Sequence, residues 1–127
     1  MFDNLDVFKL SHAMARHAGT RQALVSQNMA NADTPDYAAR DVKPFAAHVS
    51  GDDAFTARAT RPNHLFGQNQ GRNFEVVTDR EAPRDPNGNS VSLETEMLRG
   101  VETRREHDRA LAIYRSGLNV LRTALGR

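Results

Sequence analysis

The chain has 127 residues, of which 39% are hydrophobic and 6% aromatic, and it contains no tryptophan. This length predicts a single domain, and the low apolar content predicts either a small core or apolar stripes that pack against other chains. The formal net charge of +1, from 17 basic and 16 acidic residues, gives no field of one sign to attract DNA or an anionic membrane. The absence of cysteine excludes disulfides, thiolate metal sites and cysteine nucleophiles.

The sequence predicts one long N-terminal helix over residues 1–33. Asp3 or Asn4 is a suitable cap for its start. Gly19, in the middle, costs about 1 kcal/mol relative to alanine and indicates a bend, a close helix contact or local fraying. A narrow apolar seam, interrupted at Arg21, is typical of packing between helices rather than burial in a broad core. The seam follows a spacing of three and four residues: Val7, Leu10, Met14, Ala18, Val25 and Met29.

Residues 26–37, Ser-Gln-Asn-Met-Ala-Asn-Ala-Asp-Thr-Pro-Asp-Tyr, end that helix and turn the chain. Asn28 and Asn31 lie three residues apart on one helical face, where their amides can bond carbonyls that the helix end leaves free. Pro35 has no N–H and disfavours helix in the residue before it. Tyr37 supplies an aromatic ring that can pack back on the turn. The stretch therefore predicts a helix end shaped by asparagine side chains.

The same stretch resembles the ANNxANxxTPGY signature near the N-terminus of flagellar axial proteins, the rod, hook and hook-associated proteins. Asp36 stands where that family usually has glycine. If the backbone at this position has a positive φ, aspartate is among the residues that tolerate it best. The resemblance implies a structural subunit of the flagellum.

Residues 34–91 are rich in proline and glycine and are expected to be an irregular or weakly β middle segment, partly disordered in an isolated subunit. Residues 45–49 and 74–77 are short apolar pieces that are candidate strands. Residues 59–65, with Thr60 and His64, resemble a short element in the middle of small rod proteins.

A second helix is predicted over residues 92–127, after the turn signal Asp-Pro-Asn-Gly-Asn, with Ser90 or Ser92 as its cap. We define its dominant apolar repeat as the large stripe: His107, Leu111, Tyr114, Leu118, Leu121 and Leu125. Beside it lies the small stripe: Ala110, Ile113, Gly117, Val120 and Ala124. The predicted fold class is mainly α, with two long amphipathic terminal helices packed as an antiparallel coiled-coil-like pair.

Residues 88–97, Gly-Asn-Ser-Val-Ser-Leu-Glu-Thr-Glu-Met, are similar to the G-N-[ST]-V-x-[LI]-x-x-E-M start of the C-terminal helix in proximal rod proteins. With the turn signature, this extends the resemblance over the whole chain. It implies a subunit of the proximal rod of the bacterial flagellar basal body, which polymerises through its terminal helices into a torque-transmitting tube. The alternatives are another small axial rod protein (FlgC-like) and a non-flagellar helical adaptor.

The resemblance also implies partners and a location. The partners are further copies and other axial proteins (FlgC, FlgF, FlgG and FliE-like), together with the flagellar type III export apparatus. The expected location is the periplasmic rod, reached without a cleaved signal peptide, since the first residues lack a basic and apolar leader. Neither nucleic-acid binding nor membrane insertion is expected, because acidic residues are interspersed with the arginines of the second helix and no apolar run is long enough to span a bilayer.

Assembly is the role expected of the candidate site residues. An intersubunit hydrogen bond is the favoured role for Asn28, and a helix cap the favoured role for Asn31. The assembly residues are Leu10, Met14, Val25, Asn28, Met29, Asn31, Thr34, Pro35, Tyr37, Met97, Leu111, Tyr114, Leu118, Leu121 and Leu125.

Catalytic and metal chemistry find little support in the sequence. His12 and His17 are five residues apart, about 140° around a helix, so they do not share a ligand face. Glu94 and Glu96 are two residues apart, about 200° around a helix, so they point to different sides and are unsuited to paired acid–base catalysis. His107 is interpreted as a packed residue of the large stripe. No enzyme activity, metal or cofactor is therefore expected.

Overall fold

The structure, a computed structural model, describes residues 2–49 and 74–126, with side chains from residue 6 onwards. In chain order the elements are α1 (Phe2–Ala30), β1 (Arg40–Val42), α2 (Phe45–Val49), β2 (Val76–Thr78) and α3 (Leu93–Ala124). The long terminal helices α1 and α3 pack against each other, which confirms the mainly helical fold predicted from the sequence. The Thr60 and His64 element lies outside the described residues.

The start of α3 is set by Ser92. Its backbone is extended, and its hydroxyl accepts a hydrogen bond from the Thr95 N–H at 3.5 Å, so it is the N-cap. Glu94 and Glu96 in the first turn complement the positive end of the helix dipole. Ser90, the other candidate cap, instead accepts from the Ala39 N–H at 2.9 Å.

The two candidate strands of the middle segment have different outcomes. Residues 74–77 contribute Val76 and Val77 to β2, which pairs antiparallel with β1 in the register Val42 to Val76. Residues 45–49 form the short helix α2, so the prediction of a strand there is wrong. Pro44 precedes α2 and suits a helix start because its φ is fixed and its missing N–H has no helical partner, and the Ala47 N–H closes the first turn on the Pro44 carbonyl.

Small and polar side chains fill the contact between α1 and α3. On α1, Ser11, Ala18 and Val25 are buried seven residues apart, and on α3 Glu96, Thr103 and Ala110 repeat the same interval. Of the small stripe, Ala110 thus lies in the helix contact and Gly117 lies beside Phe8 of α1, whereas Val120 is 55% exposed. An alanine-sized surface lets the two backbones approach closely at little gain in buried apolar area.

The large stripe lies at the edge of that contact, where its Tyr114 meets Phe8 of α1. Leu111, Tyr114 and Leu125 are 36%, 44% and 78% exposed, whereas Ala110 of the small stripe is buried. Counting about 100° per residue from the buried Thr103, every member of the large stripe falls within a quarter turn on the same side.

Contacts between the long helices follow opposite orders along the two helices. Phe8 packs edge-on against Tyr114, with ring centroids 5.3 Å apart. Further along, Val25 lies against Gly100. Partner numbers on α3 thus fall as residue numbers on α1 rise.

The strands and α2 cover one side of this helix pair. His17 is buried at the centre of that contact, and its ring meets Phe74 and Phe45 edge-on at centroid distances of 5.0 and 5.5 Å. Its Nε2 lies 2.8 Å from the Lys43 carbonyl and donates to it, since a carbonyl only accepts. The buried Val42 completes the contact. We call this the covered side, and the side that bears the large stripe the open side.

Candidate assembly site

Asn28 joins the end of α1 to the start of β1. Its side chain is completely buried, at 0% exposure. The amide Nδ2 donates to the Arg40 carbonyl (2.7 Å) and to Glu96 Oε2 (3.1 Å), and the amide oxygen accepts from the Arg40 N–H (3.1 Å) and the Tyr37 hydroxyl (3.2 Å). Both amide hydrogens are used, so contacts within the subunit replace the intersubunit hydrogen bond favoured from the sequence. Nor is Asn28 a local cap, the other role considered.

The end of α1 is closed by two further asparagines. Asn31 Nδ2 donates to the Gln27 carbonyl at 2.8 Å, which agrees with the helix-end role expected of Asn31, and Asn31 Oδ1 accepts from the Thr34 hydroxyl. Asn89, from the second motif, places its Nδ2 2.8 Å from three carbonyl oxygens, so two hydrogens are shared among three acceptors. These acceptors belong to Asn31, Ala32 and Thr34.

The two sequence motifs dock on each other through backbone as well as side chains. The Asp36 N–H donates to the Asn87 carbonyl and the Ser90 N–H to the Tyr37 carbonyl, each at 3.0 Å. Asp36 has φ 58°, which confirms that aspartate occupies a left-handed position here. We call this paired structure, residues 28–37 with 85–91, the turn clamp.

Gly88 is required by the turn clamp for two reasons. Its φ of +82° is one that residues with a Cβ rarely adopt. A Cβ at this position would also collide with the Asp36 carboxylate. The glycine of the second motif and the aspartate of the first are therefore fitted to each other.

A chain of alternating charges links α1, β1 and α3 on the covered side. Arg21, the residue that interrupts the apolar spacing of α1, donates from Nε and Nη2 to both oxygens of Asp41 (3.0 and 3.3 Å). It also reaches Glu106 at 3.2 Å and Glu102 at 3.6 Å. Burial disfavours the guanidinium charge, but the hydrogen bond and the carboxylates of Asp41, Glu106 and Glu102 outweigh it and raise the pKa of Arg21 above its ordinary value.

The same chain of charges continues to the turn clamp. Arg99 lies 3.8 Å from Asp41 and donates to Glu96 at 2.7 Å. Glu96 is 1% exposed and accepts from Asn28 as well, so its buried charge is hydrogen-bonded on both oxygens. We call Arg21, Asp41, Arg99, Glu96, Glu102 and Glu106 the charged seam. Since sliding one helix along the other would separate these partners, the seam specifies the helix register.

The expected assembly residues divide into two groups by exposure. Val25 and Asn28 are buried, and Met14, Asn31 and Tyr37 are half-buried, all within the subunit. Leu118 and Leu121 are half-buried on the large stripe. The others are exposed: Leu10, Met29, Thr34, Pro35, Met97, Leu111, Tyr114 and Leu125.

Sequence reasoning did not select Asn89, Asp41 or Glu96 as site residues. Asn89 lies in the second motif, and its burial follows from a side chain that satisfies the end of a helix 57 residues earlier. Asp41 and Glu96 look like ordinary surface carboxylates in the sequence. The usable signal was Arg21, whose interruption of an apolar seam indicates a buried cation that needs carboxylate partners.

A groove of about 770 Å³ lies between α1 and α3 on the open side. Gly19 and Gly100 line it, with Met97, Arg104 and His107 along its α3 edge. From Thr103, Arg104 and His107 lie on the side opposite Glu102 and Glu106 of the charged seam. The groove is thus separate from the covered side.

Two further observations concern the described residues alone. Within residues 2–49 and 74–126, no helix is long and apolar enough to cross a membrane. Over the same ranges, no group of three or more histidine, aspartate or glutamate side chains is placed to hold a metal ion.

Comparison with known proteins gives the family. No family model matches the chain. A flagellar basal body rod protein FlgB from Agrobacterium fabrum is 32% identical over 116 residues, covering 88% of this chain and 87% of the relative. The chain belongs to the FlgB family. FlgB proteins from Cereibacter sphaeroides and Bacillus subtilis are 27% and 25% identical, over 84% and 91% of this chain and 83% and 89% of their own lengths.

Membership in the FlgB family confirms the flagellar resemblance and favours FlgB over the FlgC-like alternative. A match covering 88% of the chain spans both motifs of the turn clamp. For a FlgB-family subunit of the basal body rod, the open side and the turn clamp are the two features to relate to assembly.

Proposed function

We propose that this FlgB-family chain is a structural, non-catalytic subunit of the proximal rod, which polymerises through its terminal helices into a torque-transmitting tube. The observation that supports this most directly is the large stripe, of which Leu111, Tyr114 and Leu125 are exposed at the surface of α3. An exposed apolar row of this kind typically marks an interaction surface. In a tube, each subunit presents one surface to a different surface of the next, so the contact repeats without closing.

The helix pair is the rigid unit of this proposal. The opposite order of contacts along α1 and α3, together with buried residues at seven-residue intervals, favours an antiparallel coiled-coil-like pair. The charged seam and the turn clamp hold its register. A shaft that transmits torque needs subunits whose internal packing does not slip, and these polar contacts resist slipping because each has a specific partner.

The partners and route follow from the family. We propose that the chain leaves the cytoplasm through the flagellar type III export apparatus without a cleaved signal peptide and occupies the periplasmic rod. Its neighbours there are further copies and the axial proteins FlgC, FlgF, FlgG and FliE-like. No cofactor, metal, nucleic acid or membrane insertion forms part of this role.

A complementation experiment tests the proposal. The chain is expressed in the source bacterium after deletion of its own copy, and basal bodies are purified and probed for the chain by mass spectrometry. We expect restored swimming and the chain in the rod fraction. Swimming restored with the chain absent from purified basal bodies would contradict the structural role.

A further inference from the structure

The groove on the open side is lined in part by two glycines, Gly19 and Gly100, that the packing of the subunit does not require. A Cβ built on Gly19 meets nothing within 4 Å, and one built on Gly100 makes only ordinary contact, 3.8 Å from Val25 Cγ1. Neither has a positive φ. Since glycine in a helix interior is unfavourable, these two positions lower the helix propensity of α1 and α3, and no close packing contact within the chain compensates for it.

Gly117 shows what an internally required glycine looks like in the same helix pair. A Cβ there would lie 3.2 Å from two ring atoms of Phe8, so the small residue makes room for an aromatic of α1. Gly19 and Gly100 have no such neighbour, and both line one groove. The space they leave is suited to a close approach by another chain.

The charge along the groove indicates what approaches. Its lining residues include Arg104 and His107 but no carboxylate. Within residues 2–49 and 74–126, no ion pair or hydrogen bond involves the Arg104 side chain, whereas Arg21 and Arg99 on the covered side are each paired with carboxylates. The remaining lining is uncharged: Ala18, Met97 and Val101 lie beside the glycines, together with the polar side chains of Gln22 and Thr103.

We propose that this groove receives a terminal helix of a neighbouring rod subunit, and that a carboxylate on that helix pairs with Arg104. The inference rests on the rod function proposed above and adds to it the position and charge of one contact. A helix ridge fits a groove lined by small residues such as Ala18, Gly19 and Gly100, because short side chains permit close packing. Arg104 then selects among apolar helices by charge, since an opposing cation would be repelled.

The absence of cysteine allows a direct test of occupancy. Gly19→Cys places a single thiol in the lining of the groove, and Arg105→Cys places one on α3 outside the groove. We expect maleimide to label both in the isolated subunit, and Gly19→Cys to lose its labelling in purified basal bodies while Arg105→Cys keeps it. A photo-crosslinker attached to Gly19→Cys should capture an axial subunit in the rod, whether a second copy or another rod protein. Equal labelling of Gly19→Cys in both states, or capture of a protein other than an axial subunit, would overturn the proposal.

Charge reversal tests the role of Arg104 separately. Arg104→Glu should be exported and helical but lost from basal bodies, whereas Arg105→Glu, a matched exposed arginine, should be incorporated as the unmodified chain is. Gly19→Leu fills the groove at a position with open space, so its fold is retained and its incorporation should also be lost. Normal incorporation of Arg104→Glu or Gly19→Leu would overturn the inference while leaving the rod function intact, because that function fails only if the unmodified chain is absent from basal bodies.

Discussion

The covered and open sides of the helix pair use the same two helices in different ways. On the covered side, polar and charged groups such as Arg21, Asp41 and Glu96 have specific partners within the chain. On the open side, Arg104 has no ion pair or hydrogen bond among the described residues, and the large stripe is mostly exposed, although its Tyr114 packs against Phe8. The difference indicates that specificity within the subunit is polar, whereas the surface left for assembly is apolar with a few charges.

The largest expected effect is on assembly. Leu111→Asp puts a charge on the large stripe at a residue that is already 36% exposed, so the subunit should fold and be exported but fail to build a rod. Leu98→Asp is the control, because Leu98 is an exposed leucine of α3 outside the stripe. Swimming and basal-body content are measured for both. Working flagella with Leu111→Asp would show that the large stripe is not an interface.

On the covered side the expected loss is of subunit stability. Arg21→Met leaves Asp41, Glu102 and Glu106 without their shared cation, and because these carboxylates are partly exposed to solvent the expected cost is about 1–2 kcal/mol, less than for a fully buried ion pair. Urea unfolding followed by circular dichroism measures it. Arg16→Met, an exposed arginine of α1, is the control and should change the unfolding free energy by less than about 0.5 kcal/mol. Equal effects would mean that the charged seam adds nothing to stability.

Asn28→Ala tests the turn clamp. The truncation removes the hydrogen-bond partner of the Arg40 backbone groups and of the buried Glu96. Each buried group left without a partner lowers the free energy of unfolding by about 1–3 kcal/mol. We therefore expect a less stable subunit, and reduced rod content only in proportion to that loss. A variant with unchanged unfolding free energy and absent rods would restore the intersubunit role for Asn28.

A smaller effect is expected at the fit between the two motifs. Gly88→Ala should destabilise the subunit by about 1–2 kcal/mol, since alanine is strained in the left-handed region. The loss should shrink in an Asp36→Gly background, because the collision with the Asp36 carboxylate is then removed. A double-mutant cycle measures this coupling, and strict additivity would mean that the two residues do not interact.

The smallest effect concerns alkaline pH. A raised pKa keeps Arg21 charged, so its contribution to stability is present below the unfolded pKa and is lost only as pH rises through the still higher folded value. Arg21→Lys, with an ordinary pKa near 10.4, should therefore lose additional stability relative to the unmodified chain between about pH 9 and 11. Thermal melts of both proteins over that range measure the difference, and parallel curves would contradict it.

The sequence predicted the long helices and the turn at 26–37, because each depends on local signals such as spacing, Pro35 and helix caps. A positive φ at Asp36 was only a conditional expectation, raised by the glycine usual at that position in the resembling family. The sequence also identified both stripes on α3. It favoured the larger one as dominant, but in the structure the fully buried member of either stripe is Ala110 of the smaller one, whereas Leu111, Tyr114 and Leu125 of the larger one are exposed.

The features that the sequence analysis got wrong or did not select depend on tertiary contacts. Residues 45–49 are apolar enough for a strand, yet Pro44 and the adjacent alanines favour a helical turn. Asp41 and Asn89 acquire their roles from partners 20 and 57 residues away, Arg21 and Ala32. No local pattern contains that information, because a buried polar group is recognised by its partner rather than by its neighbours in sequence.

Covalent footprinting of the isolated subunit and of purified basal bodies tests the central claim, that the helix pair has an internally satisfied side and a side reserved for assembly. Hydroxyl radicals label exposed leucine and tyrosine side chains, and mass spectrometry locates the labels. We predict that Leu111, Tyr114 and Leu125 lose their labelling on assembly, whereas Leu98 remains labelled in both states. Unchanged labelling of the large stripe in the rod, with protection gained at Leu98 instead, would contradict the account.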